Sequence, residues 1–148
     1  VPEAAAEVDS RCRTSPRFIS GLSMGGYGAL RLGLLNPKRF TAISAHSSIT
    51  HVAQMQGYVE ESLVEFDLTD TNPLSVIDCA KLNARLPHLR FDCGSDDELV
   101  EHNRTLHREL TEAGIPHVYE EFSGGHTWDY WHEHLADSLR FFKASLVV

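Results

Sequence analysis

Residues 17–37 read Arg-Phe-Ile-Ser-Gly-Leu-Ser-Met-Gly-Gly-Tyr-Gly-Ala-Leu-Arg-Leu-Gly-Leu-Leu-Asn-Pro. Phe18-Ile19 is a short apolar run, and Gly21-Leu22-Ser23-Met24-Gly25 follows it after Ser20. Tyr27, Leu30 and Leu34 then recur at helical spacing until Asn36-Pro37 ends the pattern. A strand, a glycine-framed turn and a helix together form a setting that lifts a serine clear of the backbone, where it can attack a carbonyl. Gly26 keeps side-chain bulk out of the turn where helix meets strand. The pentapeptide alone has low specificity, since the same residues could form a tight turn around an idle serine.

A serine hydroxyl is a weak nucleophile near neutral pH and needs a base, usually histidine, held in the right tautomer by a carboxylate. Where such elbows occur, the partners follow in the order serine, acid, histidine. Residues 89–93 (Leu-Arg-Phe-Asp-Cys) read as a strand that leads into Gly94-Ser95-Asp96-Asp97, ahead of a helical pattern. Asp96 or Asp97 could be the acid, or could cap the helix, and two adjacent aspartates could divide the roles. Residues 117–122 read as a further strand, and Ser123-Gly124-Gly125 turns the chain so that His126 sits on a glycine-framed loop. His126 comes after the last strand, where the order expects the base. His46, which also follows a strand pattern, is its rival.

Gly21-Leu22-Ser23-Met24-Gly25-Gly26-Tyr27-Gly28-Ala29-Leu30 closely resembles the elbow of the "Putative esterase" family of α/β-hydrolases. That family includes tributyrin and feruloyl esterases, esterase D-like S-formylglutathione hydrolases and the mycolyltransferases. Asp92-Cys93-Gly94-Ser95-Asp96-Asp97 is similar to its acid motif, and Gly124-Gly125-His126-Thr127-Trp128 to its histidine motif. The resemblance implies a Ser23–Asp97–His126 triad, with Asp97 preferred over Asp96, and Met24 N–H as one oxyanion donor. It implies hydrolysis of small acyl esters through an acyl-enzyme, with no cofactor. Leu22 stands where S-formylglutathione hydrolases usually carry histidine, and Asp97 where mycolyltransferases carry glutamate, so both departures favour a general carboxylesterase. A thioesterase of the S-formylglutathione hydrolase type, or a non-catalytic fragment, are the alternatives. Trp128 is a candidate substrate contact, and His46 a candidate wall of the pocket.

The family's catalytic domain is longer, with its serine near the middle, whereas Ser23 lies near the start of these 148 residues. The expectation is therefore the C-terminal part of an α/β-hydrolase domain, lacking roughly the first four strands and the loop that supplies the second oxyanion N–H. Losing one such donor typically costs about 100–1000-fold in turnover. Strand 17–22 would then present an apolar unpaired edge, so an N-terminal companion fragment is the expected partner.

The remaining segments read as helix 3–12, strand 17–22, helix 25–36, strand 40–46, helix 74–81, strand 88–93, helix 98–113, strand 117–122 and helix 128–145. This alternation predicts a mostly parallel α/β sheet with helices on both faces and the three site residues at the carboxyl ends of the strands. Residues 47–72, with Thr50, His51, Gln54, Gln56, Glu60 and Glu61, read as a lid or pocket-wall insertion, or else a solvated excursion. Trp128, Trp131, Leu135, Leu139 and Phe142 form one stripe on the last helix, expected to face the core.

Composition narrows the function classes. The chain is 42% hydrophobic and 23% charged, which is ordinary for one globular domain. A net charge of −8 with no basic tract argues against nucleic acid. No apolar run is long enough to span a membrane. Cys12, Cys79 and Cys93 lack metal-ligand or disulfide-framework spacing, which fits reduced thiols in a cytoplasmic protein. His132 and His134 lie two apart, on different faces of a helix, so no metal site is expected there.

Overall fold

A computed structural model describes residues 15–57 and 74–146. Its elements are β1 (Phe18–Leu22), α1 (Ser23–Leu35), β2 (Ala42–His46), a 3-10 turn (Val52–Gly57), α2 (Val76–Lys81), β3 (His88–Gly94), α3 (Val100–Glu112), β4 (Val118–Phe122) and α4 (Trp128–Ala144). Each expected strand and helix within the described residues is present, with bounds shifted by a few residues. The expected helix 3–12, Cys12, Glu60 and Glu61 lie outside the described residues.

The four strands form one parallel sheet in the order β1-β2-β3-β4. Leu22 pairs with His46, and His46 with Asp92, so β1 and β2 end level, while β3 runs two residues further to Gly94, which pairs with Phe122 at the end of β4. The chain leaves the sheet at Ser23, at Ser47 and after Gly94.

Side chains alternate across the sheet, and its two faces differ chemically. Ile43, Ala45, Leu89, Phe91 and Cys93 belong to the apolar core shared with α1, α2 and α3. Leu30 and Leu34 of α1 are fully buried there, and Gly33 lets that helix approach β2 so closely that an added Cβ would lie 2.4 Å from Ile43 Cδ1. The opposite face carries Ser44, His46, Arg90 and Asp92, all buried, under α4.

That polar face overturns the expected core stripe on α4. Of that stripe Trp131 is buried, but Trp128, Leu135 and Leu139 are exposed, and the helix buries Tyr130, His134 and Ser138 in their place. At 3.6 residues per turn this is a rotation of roughly a quarter turn from the apolar stripe. The reason is complementarity, since buried hydroxyl, guanidinium and carboxylate groups need hydrogen-bonding partners and leucines supply none. Ser138 and Tyr130 meet that need. Phe142, from the expected stripe, stacks on Phe18 of β1 at 4.8 Å.

The segment after β2 leaves and returns at one place. His51 bridges Ser75, while Val52 N–H donates to Leu74 O and Val76 N–H to Thr50 O. Cys79 and Cys93 are both buried. Among the described residues no helix is long and apolar enough to cross a membrane.

Candidate active site

Ser23 is the first residue of α1 and follows β1 with no intervening loop. A reversal that tight forces an unusual backbone, and Ser23 sits at φ +53°, in the left-handed region that non-glycine residues rarely occupy. Gly21 makes the turn possible, because a Cβ there would lie 2.2 Å from the Gly25 carbonyl oxygen. Gly26 packs against Ser48, where an added Cβ would lie 3.0 Å from Ser48 Oγ. Met24 N–H lies in the first turn of α1, among the amides that lack an intrahelical acceptor, at the positive end of the helix dipole.

Asp97 lies in the turn between β3 and α3. Its side chain is fully buried and uses both oxygens. Oδ1 accepts Leu99 N–H at 2.8 Å, closing an Asx turn that leads into α3. Oδ2 lies 2.9 Å from His126 Nδ1. One aspartate thus combines the turn-forming and histidine-facing roles that the sequence left to be shared between two. Asp96 is exposed, and its backbone N–H reaches Gly124 O at 2.9 Å.

His126 lies on the loop between β4 and α4, with its side chain 21% exposed. Nδ1–H donates to the Asp97 carboxylate, so Nε2 is left to accept the Ser23 hydroxyl, 2.9 Å away. Residues 74 positions apart (Ser23 and Asp97) and 103 apart (Ser23 and His126) are therefore joined in one continuous chain of hydrogen bonds. Trp131 stands edge-on to the His126 ring at 4.9 Å, and Trp128 edge-on to Trp131 at 5.2 Å. Trp128 is 75% exposed, so its indole face is open beside the histidine loop.

A second serine, histidine and aspartate meet inside the protein. Ser138 Oγ lies 2.7 Å from His46 Nε2, and His46 Nδ1 lies 2.7 Å from Asp92 Oδ2, although off the line that a hydrogen bond needs. Ser138 and Asp92 are completely buried and His46 is 3% exposed, so a substrate has no route to this serine. His46, the rival base and the candidate pocket wall, is thereby placed beneath α4 and away from the Ser23 hydroxyl.

Sequence reasoning did not single out Arg90, Tyr130 or Ser138, and treated Asp92 only as part of a motif. The available signal was strand alternation: His88, Arg90 and Asp92 are polar at every second position of a strand expected to be covered on both faces.

The profile of the family described as "Putative esterase" matches residues 3–142. An acetyl esterase from Caldicellulosiruptor saccharolyticus is 37% identical over 143 residues, covering 84% of this chain and 53% of that relative. Among solved structures, a ferulic acid esterase superposes with TM-score 0.69 at 26% identity, covering 85% of this chain and 50% of its own. An S-formylglutathione hydrolase from Staphylococcus aureus superposes with TM-score 0.72 at 22% identity, covering 84% and 53%, a likeness of fold. The chain spans about half the length of these proteins.

Proposed function

From the premise that this chain belongs to the "Putative esterase" family, we propose that it carries the catalytic triad of a serine carboxylesterase acting on small acyl esters. The observation that carries the reading is the hydrogen-bonded chain Asp97–His126–Ser23, with the serine in a left-handed turn at the head of a helix. His126 takes the Ser23 proton as Oγ attacks the ester carbonyl, and Asp97 stabilises the imidazolium that forms. Met24 N–H donates to the developing oxyanion. His126 then returns the proton to the leaving alcohol, and water repeats the sequence on the acyl-enzyme. Acetyl esters are the first substrates to try, given the acetyl esterase relative. Trp128 offers an aromatic wall for the acyl or alcohol group.

We also propose that the edge of β1 opposite β2 is covered by further strands of the same hydrolase domain, which bring the second oxyanion donor. Exposed Leu32 on α1 and Leu135 and Leu139 on α4 give those strands and their helices apolar surface to cover. A cytoplasmic location is proposed from the odd number and wide spacing of Cys12, Cys79 and Cys93 along the sequence.

The test is hydrolysis of p-nitrophenyl acetate by the full-length protein and its Ser23→Ala variant, together with mapping of a fluorophosphonate adduct. Turnover lost in Ser23→Ala and an adduct on Ser23 are expected. Unchanged turnover in that variant, or an adduct elsewhere, removes Ser23 from the mechanism. Absence of any adduct favours the non-catalytic reading. Preference for S-formylglutathione over acetyl esters favours the thioesterase.

A further inference from the structure

Beneath α4 lies a set of buried polar groups that the acyl-transfer mechanism does not use. Asp92 is its centre. Its carboxylate is completely buried, and burying a charge is costly unless it is paired and hydrogen-bonded. Arg90 Nη1 donates to Asp92 Oδ2 at 2.6 Å and to Ser44 Oγ at 3.2 Å, and Arg90 Nε donates to Glu120 Oε2 at 3.0 Å. Ser44 Oγ is 2.7 Å from Ser138 Oγ, and Ser138 reaches His46. Arg90 therefore balances the Asp92 charge, and these contacts tie strand to strand and strand to helix.

One contact of the cluster points toward the active site. The Tyr130 hydroxyl donates to Asp92 Oδ1 at 2.8 Å. Tyr130 is the third residue of α4 and comes four residues after His126. Its ring lies against the loop that carries the histidine, since a Cβ on Gly124 would sit 2.9 Å from Tyr130 Cδ2. Gly124 is itself at φ +132°. On its other side the Gly124 carbonyl accepts Asp96 N–H, and a Cβ on Gly94 would sit 2.2 Å from that same oxygen. The His126 loop is thus clamped between the Tyr130 ring and the turn that carries Asp97. What sets the depth of the ring is the bond from its hydroxyl to a buried carboxylate on β3.

Resting on the reading of His126 as general base, we propose that Tyr130 is a positioning residue: its bond to Asp92 holds the Gly124–His126 loop at the distance His126 needs to accept the Ser23 proton. The hydroxyl touches neither substrate nor the reacting atoms, so its loss acts through His126. A base displaced by about 1 Å can cost on the order of 100-fold in rate. Substrate binding, which involves other groups, is left in place.

The experiment compares the full-length protein with Tyr130→Phe, Gly124→Ala and Ser138→Ala, all assayed well below their melting temperatures. Tyr130→Phe keeps the ring and removes the bond. Its kcat on p-nitrophenyl acetate is expected to fall roughly 10–100-fold, with KM within about twofold. The low-field proton signal of His126 Nδ1–H is expected to broaden through exchange with water. Gly124→Ala presses on the same contact from the loop side and is expected to lower kcat in the same way, which keeps the proposal testable if Tyr130→Phe does not fold. Ser138→Ala removes a hydroxyl from the same buried cluster without touching the loop. It is expected to lower the melting temperature yet leave kcat within about twofold. A Tyr130→Phe or Gly124→Ala enzyme with wild-type kcat overturns the proposal. So does an equal fall of kcat in Ser138→Ala, which would make the cluster's role merely structural. Ser23 labelling in the wild type separates the two levels of argument. With labelling, unchanged kcat in Tyr130→Phe removes this inference alone. Without it, the triad reading and this inference fall together.

Discussion

Replacing Asp97 by asparagine probes the proposed triad at the point where the structure is most restrictive. The two oxygens of Asp97 have different duties: Oδ1 accepts Leu99 N–H at 2.8 Å, and Oδ2 accepts His126 Nδ1–H at 2.9 Å. An asparagine of the same shape can keep only one. Holding its oxygen toward Leu99 turns its NH2 toward His126. Nδ1 must then act as acceptor, the ring proton moves to Nε2, and Nε2 can no longer take the serine proton. The flipped amide restores the right tautomer but sets two buried donors against each other at Leu99, at a cost of about 1–3 kcal/mol. That leaves only about 0.6–16% of molecules with a usable base, roughly a 6–160-fold loss from orientation alone. Loss of the negative charge beside the imidazolium adds to this, and the total expected fall in kcat is about 10³–10⁴-fold. KM should move little. The thermal midpoint of Asp97→Asn should stay near the wild type, because the Leu99 bond survives. Asp97→Ala should lose about 1–3 kcal/mol as a buried N–H goes unpaired. The assay is p-nitrophenyl acetate turnover alongside thermal melts, with Asp96→Asn as the parallel variant. An Asp97→Asn enzyme within tenfold of wild-type kcat, or an Asp96→Asn enzyme that loses it, would refute the assignment of the acid.

Three further outcomes follow from the same structure. Gly21→Ala places a Cβ 2.2 Å from Gly25 O, so α1 must retreat from β1 and carry Ser23 with it. Fluorophosphonate labelling of Ser23 is expected to slow about 100-fold, for a shift on the order of 1 Å. The Cys93 thiol is pushed up to about 12, first by burial and then by the charge of Asp97. Iodoacetamide should therefore spare Cys93 in the folded protein and modify it only in denaturant, as read by mass spectrometry. Glu121 is held below the ordinary carboxylate range, chiefly by its hydrogen bond from Arg104, so its protonation favours the unfolded chain. The stabilisation is present above the unfolded value near 4.5 and is lost as pH falls through the lower folded value. In urea melts, the gap between wild type and Arg104→Ala should close on acidification through that window. A gap that widens there would contradict the sign.

The order of the described strands and helices was legible because each carries its own local signal. Asn36-Pro37 ends α1, and glycines mark the departures from β1 and β3. The meeting of Ser23, Asp97 and His126 was legible for a related reason. In a parallel sheet, residues just past the carboxyl ends of different strands converge wherever the chain joins them, so order along the sequence substitutes for distance. The double duty of Asp97 was not legible, because a carboxylate that closes an Asx turn and one that faces a histidine look the same in sequence.

The α4 stripe shows why a hydrophobic pattern can mislead even when the helix itself is correctly placed. An apolar stripe marks a surface that some partner covers, but it does not name the partner. The sheet face under α4 is polar, because Ser44, His46, Arg90 and Asp92 share one side of β2 and β3. A helix packed on that face must offer hydroxyls, and it turns Tyr130 and Ser138 inward while Leu135 and Leu139 point away. The polar positions of β2 and β3 and those of α4 are thus one pattern split across three segments. Read singly, alternation in β3 suggests a half-exposed strand and the α4 stripe suggests a core face. Read together, they describe a buried polar layer that meets the histidine loop through the Tyr130 ring.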